Sequence, residues 1–549
     1  MSTTMSVFLR RFQSNWKSGL TVALVSIPLS ISLAIASGAT PIMGIITAVW
    51  AGLIASFFGG SNFNIVGPAG ALSGILAAYA LVHGYTTLPL VAIAAGVMIL
   101  IAYAFRLERF IAFVPGSTIH GFTLGVGIII ALNQLNFAFG LSGLPKHEEF
   151  IKNVWETLTH LGQSSLPTYG VFALFFIALF LLLKLTPKIP GALTVAPLGI
   201  LFGYLTTIGI IDIPLETIGS KFGDIKATLI SLPDLSFNST ILISAGAVAF
   251  VAILETMLSA KIADGMTKTT YNDRKEMVGL GLANIASGVT GGLPATGVLV
   301  RTAINIKAGA NHKTSQGLNA IFVGLISLIL FPYFKFLPMA VIGAMLIFSA
   351  IRMVESEHFV RFYRHDRRGF WIAMAVAAIT VYKDPTFGLL FGTTISLLLL
   401  VEKLSRGQFD LKVNTPADGL VSSVSGEQLT KEESLGETNH VLVYSIKGQL
   451  AYINSQAHLS RFQNGLNGYQ AVILRLRELN FIDIDGVDAI DDLIELIEQK
   501  GKQVAITGAN NFVAKLLAEG SEHFSRLTQA GLVFEKTEQA LKQFGVKIQ

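Results

Sequence analysis

Residues 57–80 read FFGGSNFNIVGPAGALSGILAAYA, and residues 287–309 read SGVTGGLPATGVLVRTAINIKAG. The two stretches share one plan: glycines, then a Gly67-Pro68 or Leu293-Pro294 step, then a short apolar run of helical character. Proline is tolerated in the first turn of a helix, where its missing N–H has no intrahelical partner. In hydrocarbon, the irregular backbone before such a helix survives only where protein buries it or where it lines a cavity. Both stretches therefore read as helices that begin part-way through a membrane.

The remainder of the chain agrees. Only 14 % of its 549 residues are charged, 52 % are apolar, and the mean hydropathy is +0.60. A soluble domain carries roughly 25 % charge, so a soluble or disordered chain is excluded and an α-helical membrane protein with many spans is expected. The absence of cysteine rules out disulfides, thiolate nucleophiles and cysteine-held metal centres. Charge is uneven: residues 438–549 hold 23 charged positions, residues 405–437 hold nine, and the first 404 residues hold 43. The expected organisation is a membrane domain over 1–404, a polar linker over 405–437 and a cytoplasmic α/β domain over 438–549.

Fourteen apolar segments lie near 19–37, 42–59, 67–82, 88–105, 117–135, 168–185, 192–211, 240–262, 276–292, 295–309, 314–331, 338–354, 370–383 and 386–403. The basic residues Arg106, Arg109, Lys184, Lys188, Lys261, Lys275, Lys313, Arg352, Arg368 and Lys403 fall in alternate loops. The positive-inside rule then sets both termini in the cytoplasm. No cleavable signal peptide is read in the basic N-terminal stretch, and residues 146–163 read as an amphipathic surface helix. The net charge of +5 is assigned to loop topology, not to nucleic-acid binding.

Segments one to seven and eight to fourteen repeat the same length pattern with opposite orientation, the short segment standing third in each half. Such an inverted repeat points to a secondary transporter with a midplane site. Two helix N-termini would converge there, each with roughly half a positive charge and free N–H groups. Ala69, Gly70, Ala71 and Gly297 would offer backbone N–H groups and room for a compact anion, Thr296 a hydroxyl in the first turn, and Arg301, two turns into segment ten, positive potential. Glu255 lies inside segment eight, and an intramembrane acid is a functional residue by default. Ser259, one turn on, shares its face; the pair could hold a proton or Na⁺. His120 and Asn133 in segment five are read as packing residues.

The blocks GLTVALVSIPLSISLAIASGATPIMGI (19–45), GPAGALSG (67–74), VPGSTIHGFTLGVGIIIALNQL (114–135) and ETMLSAKIADGMTKTTYNDRKEMVGLGLANIASGVTGGLPATGVLVRTAINIKAGANHKTS (255–315) resemble the SulP sulfate permease family, bacterial relatives of solute carrier family 26. The resemblance implies a seven-plus-seven repeat with core and gate subdomains, elevator-like alternating access and a homodimer in the bacterial inner membrane. The chain departs at Leu29, where many members have Gln, and at Ala69, where bicarbonate-transporting members have Thr. Sodium-coupled members carry Asp and Thr at the positions of Glu255 and Ser259, so proton coupling is favoured here.

From His440 onward, apolar strands alternate with amphipathic helices, and the segment resembles a STAS domain. Its loop Asp483-Ile484-Asp485-Gly486 has Asp485 in the position of the serine that soluble relatives phosphorylate. Asp485 is expected to act as the helix N-cap, and the domain to support dimerisation or to meet a cytoplasmic regulatory partner.

The leading expectation is secondary active transport of sulfate or bicarbonate, coupled to H⁺ or Na⁺, with no cofactor and no bound metal other than Na⁺ at Glu255. The alternatives are an anion channel or exchanger, a nucleobase–cation symporter, and a membrane sensor signalling through its C-terminal domain. An enzyme is disfavoured, because no catalytic set stands in a supporting context.

Overall fold

The computed structural model describes residues 2–145, 147, 149–185, 191–223, 228–232, 240–383, 385–415, 419–424, 440–463, 466 and 469–546. Lys188, residues 146 and 148 of the expected surface helix, and residues 416–418 and 425–437 of the expected linker lie outside them. The chain forms two compact units, Met1–Ser396 and Leu397–Gln549.

Each of the fourteen apolar segments corresponds to a helix. They are α1 (Ser2–Ala36), α2 (Pro41–Phe58), α3 (Gly70–His83), α4 (Leu88–Ala104), α5 (Gly116–Asn133), α6 (Leu166–Leu185), α7 (Gly191–Thr207), α8 (Thr240–Thr267), α9 (Asp273–Val289), α10 (Leu299–Lys307), α11 (Thr314–Phe334), α12 (Met339–Met353), α13 (Arg367–Tyr382) and α14 (Pro385–Ser405). Among the described residues nine helices are long and apolar enough to cross a membrane: α1, α2, α4, α5, α6, α8, α11, α12 and α14. The third and tenth, at 14 and nine residues, are short because irregular backbone replaces their first half. A surface helix, Phe150–Thr159, occupies the expected amphipathic stretch, and another, Ser356–His365, joins α12 to α13.

The packing shows the repeat directly. Helix α4 packs on α9 and α11 on α2; α1 packs on α11 and α8 on α4; α5 packs on α13 and α12 on α6. Moving every helix number by seven converts one member of each pair into the other. The helices α1–α4 and α8–α11 thus form one interlocked set, while α5, α6, α12 and α13 form a second. Small residues permit this closeness: a Cβ on Gly96 of α4 would sit 2.6 Å from the Gly281 carbonyl of α9. Without a hydrophobic drive between helices in lipid, such close backbone approach supplies the van der Waals gain.

The second unit is a six-stranded sheet of order β4-β3-β5-β6-β7-β8. Its strands are β3 (Gln408–Thr415), β4 (Gly419–Val424), β5 (His440–Leu450), β6 (Tyr469–Ile482), β7 (Gln503–Thr507) and β8 (Val533–Phe534). The β5, β6, β7 and β8 strands pair in parallel and β3 runs antiparallel to β5 and β4. The expectation of a linker over 405–437 is corrected here, since β3 and β4 lie inside it. Counting charge cannot separate a loop from an antiparallel strand in which polar and apolar residues alternate. Alternate residues of β5 and β6 bury opposite faces: Leu442, Tyr444, Val472 and Leu474 on one, Val441, Val443, Ala471 and Ile473 on the other. The first face packs on α15 (Ser455–Gln463), α16 (Ile484–Gln499), α17 (Asn511–Gly520) and α18 (Glu522–Gln529), and the second on α19 (Thr537–Gln543).

Candidate functional site

The two irregular approaches meet as strands. β1 (Val66–Gly67) pairs antiparallel with β2 (Thr296–Gly297), in register Val66↔Gly297 and Gly67↔Thr296. Val298 N donates to Ile65 O at 2.8 Å and extends the ladder. From this junction α3 and α10 run in opposite directions, with their N-termini adjacent. The cap residues Ala69 and Val298 are extended, and neither makes a side-chain cap hydrogen bond. The first-turn N–H groups, which have no intrahelical acceptor, thus keep no side-chain acceptor at either cap.

Several expected positions shift. Helix α10 begins at Leu299, four residues later than the apolar run suggested, because residues 296–297 are spent on the strand. Thr296 and Gly297 therefore lie before the helix, not in its first turn. Pro68 and Pro294 likewise precede their helices instead of standing inside them. Arg301 moves from two turns deep to the first turn of α10, where its side chain is 0 % exposed. Its Nε, Nη1 and Nη2 atoms have no hydrogen-bond partner among the described residues. A Cβ on Gly67 would lie 2.7 Å from Nη1, so the guanidinium rests against β1. Ala69 and Ala71 are buried, and Gly70 faces Ile130 of α5.

Glu255 is half-buried on α8 and accepts a 2.7 Å hydrogen bond from Thr296 Oγ1. The neighbouring Thr256 accepts one from Gly297 N at 2.8 Å. Glu255 also interacts electrostatically with Arg301. One acid, one base and two uncapped helix ends therefore share one place. Ser259 is buried and engaged elsewhere: its Oγ donates to Asn64 Oδ1 at 2.7 Å and lies 3.1 Å from Thr302 Oγ1.

Asn64 and Glu276, absent from the sequence reading, hold the first approach. Asn64 Nδ2 donates to Glu276 Oε1 at 2.7 Å, and Glu276 Oε2 accepts from Gly60 N at 2.7 Å and Ser61 N at 2.8 Å. Glu276 is 3 % exposed, and its charge is matched by these three donors. The second approach is held by neutral groups. Asn284 exchanges two hydrogen bonds with the Ala295 backbone, at 2.9 and 3.0 Å, and Thr47 Oγ1 accepts from Leu293 N at 2.6 Å. The available signal was a set of polar residues, Asn64, Thr47 and Asn284, in otherwise apolar runs. A cavity of about 920 Å³ lies farther along α3, lined by Gly74, Ala78, Asn133, Lys221, Ser244 and Lys383 among others. It reaches α3 one turn beyond Gly70 but is not lined by Glu255, Thr296 or Arg301.

In the second unit the cap of α16 is Asp483, whose Oδ1 accepts from Gly486 N at 2.8 Å. Asp485 stands in the first turn, which corrects the expectation that it caps. A cap side chain reaches the N–H two or three residues on, and only Asp483 has that spacing to Gly486.

A seven-plus-seven helical repeat with two broken helices meeting N-terminus to N-terminus, followed by an α/β unit, defines a helical membrane transporter fold with a C-terminal α/β domain. Residues 12–376 match the sulfate permease family and residues 434–540 match the STAS domain. The chain belongs to the sulfate permease family of anion transporters. It is 30 % identical over 533 residues to YvdB of Bacillus subtilis, covering 94 % of this chain and 96 % of that one. It is 25 % identical over 528 residues to the bicarbonate transporter BicA of Picosynechococcus sp., covering 93 % and 91 %. Its fold matches the inward-facing murine Slc26a9 anion transporter with a TM-score of 0.81 at 15 % identity, over 97 % of this chain and 91 % of that one.

Proposed function

We propose that this protein is a secondary active carrier of a small inorganic oxyanion, sulfate or bicarbonate, coupled to a cation. The reading rests on one observation: a fully buried guanidinium without a hydrogen-bond partner among the described residues, beside two helix N-termini that face each other without side-chain caps. The oxyanion lies between the ends of α3 and α10, accepting from backbone N–H groups near Ala69, Gly70 and Ala71 and from Arg301, while the Gly297 N–H and the Thr296 hydroxyl hold Thr256 and Glu255 beside it. Arg–oxyanion hydrogen bonds are charge-assisted and about twice as strong as neutral ones.

Glu255 supplies the coupling. As a carboxylate it competes with the anion for Arg301 and repels it directly. A proton on Glu255, or Na⁺ beside it, removes that repulsion, so anion and cation enter together. The helix set α1–α4 with α8–α11 carries the site and moves past the other set in an elevator-like cycle. The carrier sits as a homodimer in a bacterial inner membrane with both termini in the cytoplasm, and its STAS domain, with Asp485 as a fixed charge, regulates it or steadies the dimer.

The test is uptake of radiolabelled sulfate and of bicarbonate into proteoliposomes under imposed proton and sodium gradients in turn. Accumulation of one of these anions driven by one of these gradients is the expected result. Conduction without accumulation would leave a channel, and accumulation of uncharged nucleobases alone would defeat the anion site.

A further inference from the structure

The His120 side chain, at the start of α5, does not stand alone. Its Nδ1 lies 3.4 Å from Glu355 Oε2, and the same oxygen lies 3.5 Å from His358 Nε2. The imidazoles are stacked with centroids 4.2 Å apart, and one donor atom from each of the three side chains lies within 4.8 Å of the other two. Phe362 closes one side of the group edge-on to His120. Glu355 is the N-cap residue of the helix Ser356–His365, yet its carboxylate makes no cap hydrogen bond and turns to the two imidazoles instead.

We propose that His120, Glu355 and His358 form a binding site for a divalent transition metal ion of zinc chemistry. Two imidazole nitrogens and one carboxylate oxygen are a favoured zinc donor set, with bonds of about 2.0–2.2 Å. Tetrahedral geometry then places donor atoms about 3.4 Å apart, the spacing already present on both edges that meet at Glu355. The third edge closes by rotation of His358, the most exposed of the three at 44 %. His120 and Glu355 are 18 % and 38 % exposed, so an ion can arrive from solvent and a fourth position stays open to water. Magnesium and calcium are not expected, since they take all-oxygen shells.

The bound ion would staple two parts of the chain. Gly121, next to His120, leaves no room for a Cβ against the Ala373 carbonyl, so α5 is already seated on α13. The metal would join the start of α5 to the connector between α12 and α13 by coordinate bonds.

The experiment uses full-length untagged protein in detergent, stripped with EDTA and titrated with Zn²⁺ against a fluorescent zinc chelator. One zinc per chain is expected in the wild type, with affinity weaker by about tenfold or more in H120Q and H358Q. Zinc should raise the melting temperature of the wild type and not of H358Q, while the two melt alike in EDTA. Co²⁺ should give the intense visible bands of tetrahedral coordination in the wild type alone. Absence of zinc binding in the wild type, or equal binding and an unchanged cobalt spectrum in H358Q, would show a hydrogen-bonded cluster only and overturn the site.

Discussion

Three helices of this protein begin in contrasting ways. Helix α16 of the STAS unit starts with Asp483, whose carboxylate takes the Gly486 N–H. Helices α3 and α10 of the membrane unit start with Ala69 and Val298, which have nothing to offer their N–H groups. The chain is not short of capping residues, for Asn272, Asp366, Asn510 and Ser521 all cap other helices. A missing side-chain cap is not by itself what sets α3 and α10 apart, since α2, α4, α5, α11 and α12 also begin without one. The distinction is one of position: these two ends face each other beside the buried Arg301, where an acceptor from elsewhere can meet them.

The sharpest way to break that comparison is Arg301→Ala. It removes the buried guanidinium but leaves both helix ends, and anion affinity should fall by about 100-fold, in line with the loss of two charge-assisted hydrogen bonds. Binding of radiolabelled anion to detergent-purified protein measures it, and unchanged affinity would return the site to backbone groups alone. Next in size is Glu255→Gln. The Thr296 hydroxyl keeps an acceptor, so the protein should fold, but gradient-driven accumulation in vesicles should be lost.

The two approaches to the broken helices can be set against each other by Glu276→Gln and Asn284→Ala. The first replaces a buried carboxylate matched by three donors and should destabilise by about 3 kcal/mol. The second removes two neutral hydrogen bonds and should cost about 2 kcal/mol. Thermal melting in detergent orders the pair; the reverse order would mean that the charged clamp is not the stronger.

In the STAS unit, burial, aided by Arg461, pushes His458 from 6.5 down to about 4, while its ring accepts or donates across 2.6 Å to the Tyr444 hydroxyl. Between these values the unfolded chain holds a proton that the folded one does not. Stability of this unit should therefore fall as pH drops from about 6.5 to about 4, by at most on the order of 3 kcal/mol. Hydrogen exchange of the Val441–Ile446 amides in the full chain reports it, and a flat profile would remove His458 as the cause. The smallest effects concern the cap itself: Asp483→Ala should cost about 1 kcal/mol and Asp485→Asn a few tenths. Equal losses would undo the assignment of Asp483.

Much of this was legible before the fold. Apolar runs located the fourteen helices, because apolar sequence alternates with polar loops, and paired Gly/Pro steps exposed the two short, broken ones. Glu255 stood out as an acid in hydrocarbon. The register of Arg301 was not legible, since a two-residue strand and a helical turn read alike in an apolar run. Nor was the Asn64–Glu276 hydrogen bond, which closes over 212 positions of chain and exists only once α9 lies beside the first approach. The antiparallel strands β3 and β4 were hidden by their polarity.

The crossed packing of α4 on α9 and α11 on α2 has a consequence for biosynthesis. Helices α1 to α4 leave the ribosome before the surfaces they seat against have been made. They must wait in the bilayer, or under the care of insertion machinery, until α8 to α11 thread back among them. The halves are thus two strands of one weave, and neither is a stable module that could be inherited, expressed or repaired without the other.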